Sequence, residues 1–223
     1  MDIVNIASKK VAILGMGIEG IAMANFLIGK NIPITLLDIK EEILIDEKYE
    51  YNLEIKKLVE NQLCRVKFGK DYLDNLSDFD LLFRSPGIKY LSTEIKEAEG
   101  NGTEIYSQIK LFFDLCPAPI IGVTGTKGKG TTSSLLYEFA KSNPEFNNVY
   151  LAGNIGEPAI TLLDRLVKND LVILELSSFQ LQDLHKSPHI AVITNLGVDH
   201  LNYHKDRDEY IKAKQSIFKY QNA

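Results

Sequence analysis

Short apolar runs recur along the chain, separated by longer stretches in which apolar and polar residues alternate with helical spacing. KVAIL (10–14), PITLL (33–37), DLLF (80–83), PIIGV (119–123), LVILEL (171–176) and IAVITN (190–195) are rich in Ile, Val and Leu. Such runs predict strands buried on both faces. The amphipathic stretches between them predict helices over 19–28, 51–61, 92–99, 129–141, 158–167 and 208–218. Strand–helix alternation implies parallel sheets joined by crossover helices, an α/β fold. The pattern restarts after GNGTEIYSQIKLFFDLCPAP, where a loop, a helix and two prolines precede a new strand. A boundary is therefore expected near Ser107, giving two α/β units, 1–107 and 108–223.

The first unit opens on KVAILGMGIEGIAMANFL, a strand running through Gly15-x-Gly17-x-x-Gly20 into a helix. Glycines there permit a tight turn and close approach of a diphosphate to the helix N-terminus, where free N–H groups and the dipole favour anions. Asp38 ends the next strand, where an acid can meet a ribose or base edge. Nothing local separates NAD from another diphosphate such as a UDP-sugar. Ser85-Pro86-Gly87, within FRSPGI (83–88), ends a further strand and lies on the edge where an open sheet takes its ligand.

The second unit carries GVTGTKGKGTT (122–132), again a strand, a glycine turn and a helix start. Backbone N–H groups of such a turn cradle phosphate oxygens, and the ammonium of Lys129 is placed to neutralise β/γ charge. The loop is a variant: Val123 stands where G-x-x-x-x-G-K-[ST] has its first glycine, and Gly130 follows the lysine where a magnesium-binding hydroxyl is usual. Thr131 or Thr126 is expected to supply that hydroxyl. Glu175 closes the apolar strand of LVILELSSFQL (171–181), placed to bind magnesium directly or through water. The strand of IAVITNLGVDHLNYH (190–204) ends in Asn195 and is followed by Asp199 and His200. Three strands of one sheet would then bring Lys129, Glu175 and His200 to one edge.

Composition narrows the classes. The formal net charge is -5, with 13 Lys+Arg against 18 Asp+Glu in residues 1–107 and 12 against 12 in 108–223. No basic face for nucleic acid follows from that balance. Cys64 and Cys116 stand far apart with no CxxC or His/Cys spacing, which suits neither a disulfide framework nor a zinc cage. No stretch approaches the ~20 apolar residues of a membrane helix, and MDIVNIASKKVAILG does not read as a secretory signal. A cytoplasmic protein without membrane insertion is expected.

Five linked motifs carry a resemblance. GTKGK with Thr131, GNIGEP (153–158), ELSSFQL (175–181), DHLNYH (199–204) and KAKQSIF (212–218) are together similar to the ATP-dependent Mur ligases, in family order from Val11 to about Phe218. ELSSFQL and the SPGI turn most resemble the D-glutamate-adding branch. The resemblance implies a Rossmann-like N-terminal domain for the UDP substrate (1–107), a P-loop-type central ATPase domain (108–223, incomplete) and a C-terminal domain that this chain lacks. A fragment of that kind is expected to be inactive alone. The implied enzyme is a monomer that forms a C–N amide bond in peptidoglycan synthesis. It would join D-glutamate to UDP-N-acetylmuramoyl-L-alanine through an acyl phosphate, using ATP and two Mg2+ ions.

The resemblance also implies site residues. Gly125, Thr126, Lys127, Gly128, Lys129, Gly130 and Thr131 would form the ATP loop. Lys129, Glu175, His200 and Lys214 would be catalytic, with Thr131, Glu175, His200 and a carbamylated Lys214 at the metals. A carbamate converts a repelling ammonium into a metal-binding anion, but it needs a neutral amine and hence a lowered pKa or a trapping metal. Asn154, Ser177 and Gln180 would meet the muramoyl-alanine portion, and Gly17, Ile18, Glu19, Asp38, Ser85 and Gly87 the uridine-diphosphate side. Lys127 and Gly130 make the loop similar to the folylpolyglutamate synthases, relatives with the same central fold. A ligase of that type, another Mur ligase and a non-catalytic nucleotide-binding module stand as the alternatives.

Overall fold

A computed structural model of the chain describes residues 1–40, 50–197 and 199–221, with side chains undescribed at 50–52. The chain divides into two compact units, Met1–Gln108 and Ile109–Ala223. Each is built on its own parallel sheet.

In the first unit, helix α1 (Ile3–Ala7) leads to β1 (Val11–Leu14), α2 (Ile18–Gly29), β2 (Ile34–Asp38), α3 (Glu50–Val59), β3 (Cys64–Phe68), β4 (Leu81–Arg84), α4 (Thr93–Gly100) and β5 (Glu104–Tyr106). Among the described residues the strands lie in the order β3-β2-β1-β4-β5, all parallel. All four residues of β1 and all four of β4 are buried, as central strands covered on both faces must be. The chain steps outward from β1 through β2 to β3, then returns to β4 on the other side of β1. The crevice of such a switch opens at the carboxyl ends of β1 and β4. Gly15–Gly20 and Ser85–Gly87 follow those two ends directly.

The second unit, which α5 (Gln108–Leu115) enters from the boundary residue Gln108, continues with β6 (Ile120–Thr124), α6 (Lys129–Ala140), β7 (Val149–Gly153), β8 (Leu171–Glu175), α7 (Ser178–Leu181), β9 (Ile190–Ile193) and α8 (Arg207–Lys219). Its described strands run β7-β8-β6-β9, all parallel. One face of β8 packs Val172 and Leu174 with Leu181, Leu184 and Ile217. The other face sets Leu171 and Ile173, with Val123 of β6, against Leu136, Tyr137 and Ala140 of α6. Burial on both faces explains the uninterrupted apolar run of β8. Truncating one of these leucines to alanine costs ~2–5 kcal/mol by cavity formation.

The structure corrects the expected secondary structure in two ways. Residues 158–167 do not form an α-helix; the segment makes a 3-10 turn over Ala159–Leu162. The Thr161 hydroxyl bonds the Pro158 carbonyl at 2.8 Å and Glu157 Oε2 at 2.7 Å, and Leu163 and Arg165 each donate three residues back, so local bonds replace the helical ladder. Strands β3, β5 and β7 had no predicted counterpart. They are outer strands whose residues are mostly half-exposed or exposed; charged residues interrupt β3 and β5, while the run VYLAG of β7 is apolar and was overlooked.

Candidate active site

In the first unit, Gly15 leaves β1 with φ +91° and its N–H bonds Leu37 O at 2.8 Å. The turn is then anchored from two neighbouring strands. Asp38 at the end of β2 accepts from the Met16 N–H (2.7 Å) and the Lys40 N–H (2.9 Å). Ser85 at the end of β4 donates its hydroxyl to Gly15 O at 2.8 Å. Gly20 is obligatory for packing: a Cβ there would lie 2.0 Å from Gly15 O and 3.0 Å from Ser85 Oγ. The SPG turn is propped by Arg84, 1% exposed, whose guanidinium donates to Ile88 O at 2.6 Å.

Gly17 caps α2 without a side-chain bond, and apart from adjoining backbone and chain neighbours nothing lies within 4 Å of where a Cβ would stand at Gly17 or Gly87. The first-turn N–H groups of a helix have no partner within it. With exposed Ile18, they form an open ledge suited to an anion. Gly17, Ile18 and Gly87 thus sit on the open side. Asp38 and Ser85 hold the ledge from beneath, and Glu19 is half-buried in the first turn of α2.

In the second unit the loop after β6 turns at Gly125 and Gly128, the latter being the N-cap of α6 with φ +80° and no side-chain cap. Lys129 folds back along the loop, its Nζ donating to Gly125 O (3.1 Å) and Thr126 O (3.2 Å). Glu175, 5% exposed, ends β8 with Oε1 accepting from Asn154 Nδ2 at 2.8 Å. A Cβ at Gly130 would stand 3.1 Å from Glu175 Oε2, so the glycine leaves the carboxylate directly against the first turn of α6. A serine or threonine at 130 would project into that space.

Of the two hydroxyls expected to replace the one missing at Gly130, Thr126 is already engaged. It lies 2.9 Å from Tyr210 Oη and accepts from the Gly197 N–H at 2.8 Å. Thr131 is exposed on the first turn of α6. Asn195 and Thr194, just past β9, hold the loop from below. Asn195 Oδ1 accepts from the N–H groups of Thr126 (3.1 Å) and Lys127 (3.0 Å), and Thr194 donates to Lys127 O at 2.6 Å.

Lys214 of α8 reaches the same place from inside. It is 2% exposed, with Nζ donating to Gly125 O (2.9 Å) and Thr124 Oγ1 (3.2 Å). Burial, reinforced by the charge of Lys129 and opposed by Asp199 and Glu175, lowers its pKa to about 8. An amine so perturbed is neutral for a useful fraction of the time near neutral pH, the condition carbamate formation needs. Lys129, Gly130, Glu175, Asn154 and Lys214 therefore converge on one loop.

His200 stands on the adjoining turn, with φ +55°. Its ring is 4.8 Å from that of Phe179 and 3.5 Å from Asp199 Oδ2. Ser177 and Gln180 are turned on each other as a capping box at the start of α7, the Ser177 N–H donating to Gln180 Oε1 at 2.9 Å.

Sequence reading did not find the polar chain behind this surface. Ser178 Oγ is 2.8 Å from His204 Nε2, and His204 Nδ1 is 2.7 Å from Glu209 Oε2. Gln182 donates to the other Glu209 oxygen at 2.5 Å. The chain ties α7 to α8, but Ser178 and His204 are each 2% exposed, which leaves no room for a substrate at the serine. Tyr210 was also missed.

Comparison with known proteins bears on the same two units. The profile of the Mur ligase MurD-like N-terminal domain matches residues 9–107, and that of the Mur ligase middle domain matches 123–223. The UDP-N-acetylmuramoylalanine--D-glutamate ligase of Acetivibrio thermocellus is 42% identical over 218 residues, 98% of this chain and 45% of the relative. The enzyme of that name from Clostridium tetani is 40% identical over 217 residues, covering 97% and 45%. The chain thus spans a little under half the length of these relatives. Among solved structures, the UDP-N-acetylmuramate:L-alanyl-gamma-D-glutamyl-meso-diaminopimelate ligase from Neisseria meningitides aligns with a TM-score of 0.57 at 19% identity, over 95% of this chain and 68% of that one. At that identity the likeness is one of fold.

Proposed function

The chain belongs to the Mur ligase family, pairing a MurD-like N-terminal domain with a middle domain, and on that premise we propose that the protein is an ATP-dependent ligase joining D-glutamate to UDP-N-acetylmuramoyl-L-alanine. The observation that carries the reading is the buried Glu175 carboxylate lying against the N-terminus of α6, beside Lys129 and above Lys214. An acid at a strand end, a lysine and open helix amides are the parts that hold a nucleoside triphosphate. The choice of amino acid is supported by the names of relatives that match across both units.

The chemistry asks for cations. A carboxylate is a poor acyl donor, so the γ-phosphoryl of ATP passes to the alanine carboxylate and leaves it as an acyl phosphate. The D-glutamate amine then attacks, and the tetrahedral intermediate expels phosphate to give the amide. Two anions must be held together first, and Lys129 is the cation poised to do so. The loop amides of Gly128 to Thr131 would orient the phosphates. In the first unit, the ledge at Gly17 and Gly87 would bind the uridine diphosphate, with Asp38 and Ser85 fixing its backbone.

Magnesium fits the donor set of the second unit. Among the described residues no cluster of three His, Cys, Asp or Glu could hold an ion unaided. Mg2+ is commonly bound through one or two carboxylates together with substrate phosphates and water. Glu175 and the Thr131 hydroxyl would hold the ATP-side ion, and His200 with a carbamylated Lys214 a second. When bound, the ions neutralise charge developing on the phosphoryl group.

No helix among the described residues is long and apolar enough to cross a membrane. We place the enzyme in the cytoplasm as a monomer. Full-length protein supplied with ATP, UDP-N-acetylmuramoyl-L-alanine and a panel of amino acids should release ADP and phosphate with D-glutamate alone. Efficient ligation of a different amino acid would overturn the assignment.

A further inference from the structure

Thr126, at the centre of the phosphate loop, is held from three directions. Its N–H donates to Asn195 O at 3.0 Å and lies 3.1 Å from Asn195 Oδ1. Its hydroxyl accepts from the Gly197 N–H and pairs with Tyr210 Oη at 2.9 Å. Tyr210 is 1% exposed and lies on α8, one turn before Lys214. Its ring sits 4.9 Å from the Lys214 ammonium and meets the His204 imidazole edge-on at 5.3 Å. That imidazole is fixed in turn between Ser178 and Glu209. The phenol is therefore locked by packing on both sides, and its one polar atom is aimed at the loop.

We propose that Tyr210 is a positioning residue for the phosphate loop: by holding Thr126 Oγ1, its phenol O–H keeps the loop amides and Lys129 in the arrangement that receives nucleotide phosphates. The inference rests on the ATP reading of the second unit. It adds that the α8 helix, which carries Lys214, sets nucleotide affinity through a side chain that need not touch the nucleotide. Lys129 bonds the carbonyl of Thr126 itself, so a loop released at Thr126 also loses the anchor of its lysine.

Tyr210→Phe deletes one oxygen and keeps the ring, its packing and its contact with Lys214. Measured by calorimetry on the protein, Mg·ATP should bind about five- to tenfold more weakly to the variant, the range expected for one lost hydrogen bond. The thermal midpoint should remain near wild type. Thr126→Val should show the same loss, Thr126→Ser should retain wild-type affinity, and the Tyr210→Phe/Thr126→Val double variant should be no weaker than either single one. That non-additivity separates loop positioning from general destabilisation. Wild-type affinity in Tyr210→Phe, losses that multiply in the double variant, or weakened binding in Thr126→Ser would each overturn the proposal. If the wild-type protein fails to bind ATP, the ATP reading falls and takes this inference with it.

Discussion

The two glycine loops follow the same plan, a buried strand, a turn with positive φ and an uncapped helix, yet they are held in opposite electrostatic manner. The loop of the first unit is anchored by an anion and a neutral hydroxyl. Asp38 accepts from the Met16 N–H and Ser85 donates to Gly15 O. The loop of the second unit is anchored by cations, with Lys129 and Lys214 both donating to Gly125 O. A carboxylate beside a turn disfavours added negative charge there, whereas the Lys129 ammonium favours it. The proposed assignment follows that contrast: the first loop would hold a diphosphate largely through its N–H groups, and the second a triphosphate met by Lys129.

The largest expected effect comes from removing the cation at the second loop. Lys129→Ala in full-length protein should lower ligation by about 10²–10³-fold, the scale of losing one oriented stabiliser of developing charge. Binding of the UDP substrate, measured in parallel by calorimetry, should be unchanged. Activity that survives would remove Lys129 from phosphoryl transfer and erase the contrast between the loops.

Lys214 offers a pH test of the same contrast. Its folded pKa of about 8 lies below the ordinary value of 10.5 because burial penalises the ammonium. Between those two values the unfolded chain holds the proton and the folded chain does not, so stability rises with pH across the window. Below about 8 both states are protonated and the slope vanishes. In CO2-free buffer, Lys214→Met should abolish a rise on the order of 3 kcal/mol between pH 8 and 10.5, at about 1.4 kcal/mol per unit of pKa difference. Urea unfolding of both proteins at several pH values reads the difference in slope, and equal slopes would show that the amine is not perturbed.

Legibility followed apolar composition and sequence distance: β9 was readable from IAVI although none of its four residues is buried as such a run predicts. β1, β4, β6 and β8 were readable because strands covered on both faces must be apolar throughout. β3 was not, since CRVKF is buried at its first residue and exposed or half-exposed after it. The 158–167 stretch reads as a helix from its spacing but forms a 3-10 turn, in which the Thr161 hydroxyl bonds Pro158 O and Glu157. At the site, the glycines, Lys129, Glu175 and Lys214 announce themselves in short motifs. The residues that hold them do not. Tyr210 meets Thr126 across 84 positions, Asn195 meets Thr126 across 69, and His204 meets Ser178 across 26. Such pairs are made by sheet order, and no local pattern encodes them. Asp38 is legible as an acid at a strand end, where it can meet a ribose or base edge; its bonds to the Met16 and Lys40 N–H groups are not legible from spacing.

A smaller effect separates those two roles of Asp38. Its carboxylate oxygens bond two backbone N–H groups, those of Met16 and Lys40. Asp38→Asn leaves one acceptor and sets an NH2 group against the other N–H, so it removes a charged hydrogen bond and adds a donor–donor contact. Loss of about 1–2 kcal/mol in unfolding free energy is expected, with UDP-substrate affinity falling only severalfold as the turn relaxes. ATP binding should not move, because the second loop has its own anchors. If Asp38 instead acts mainly by contacting the ligand, the variant would keep its stability and lose affinity alone. Unfolding and calorimetry on the same preparation distinguish the cases: a drop in both marks an anchor of the turn, a drop in affinity alone marks a ligand contact.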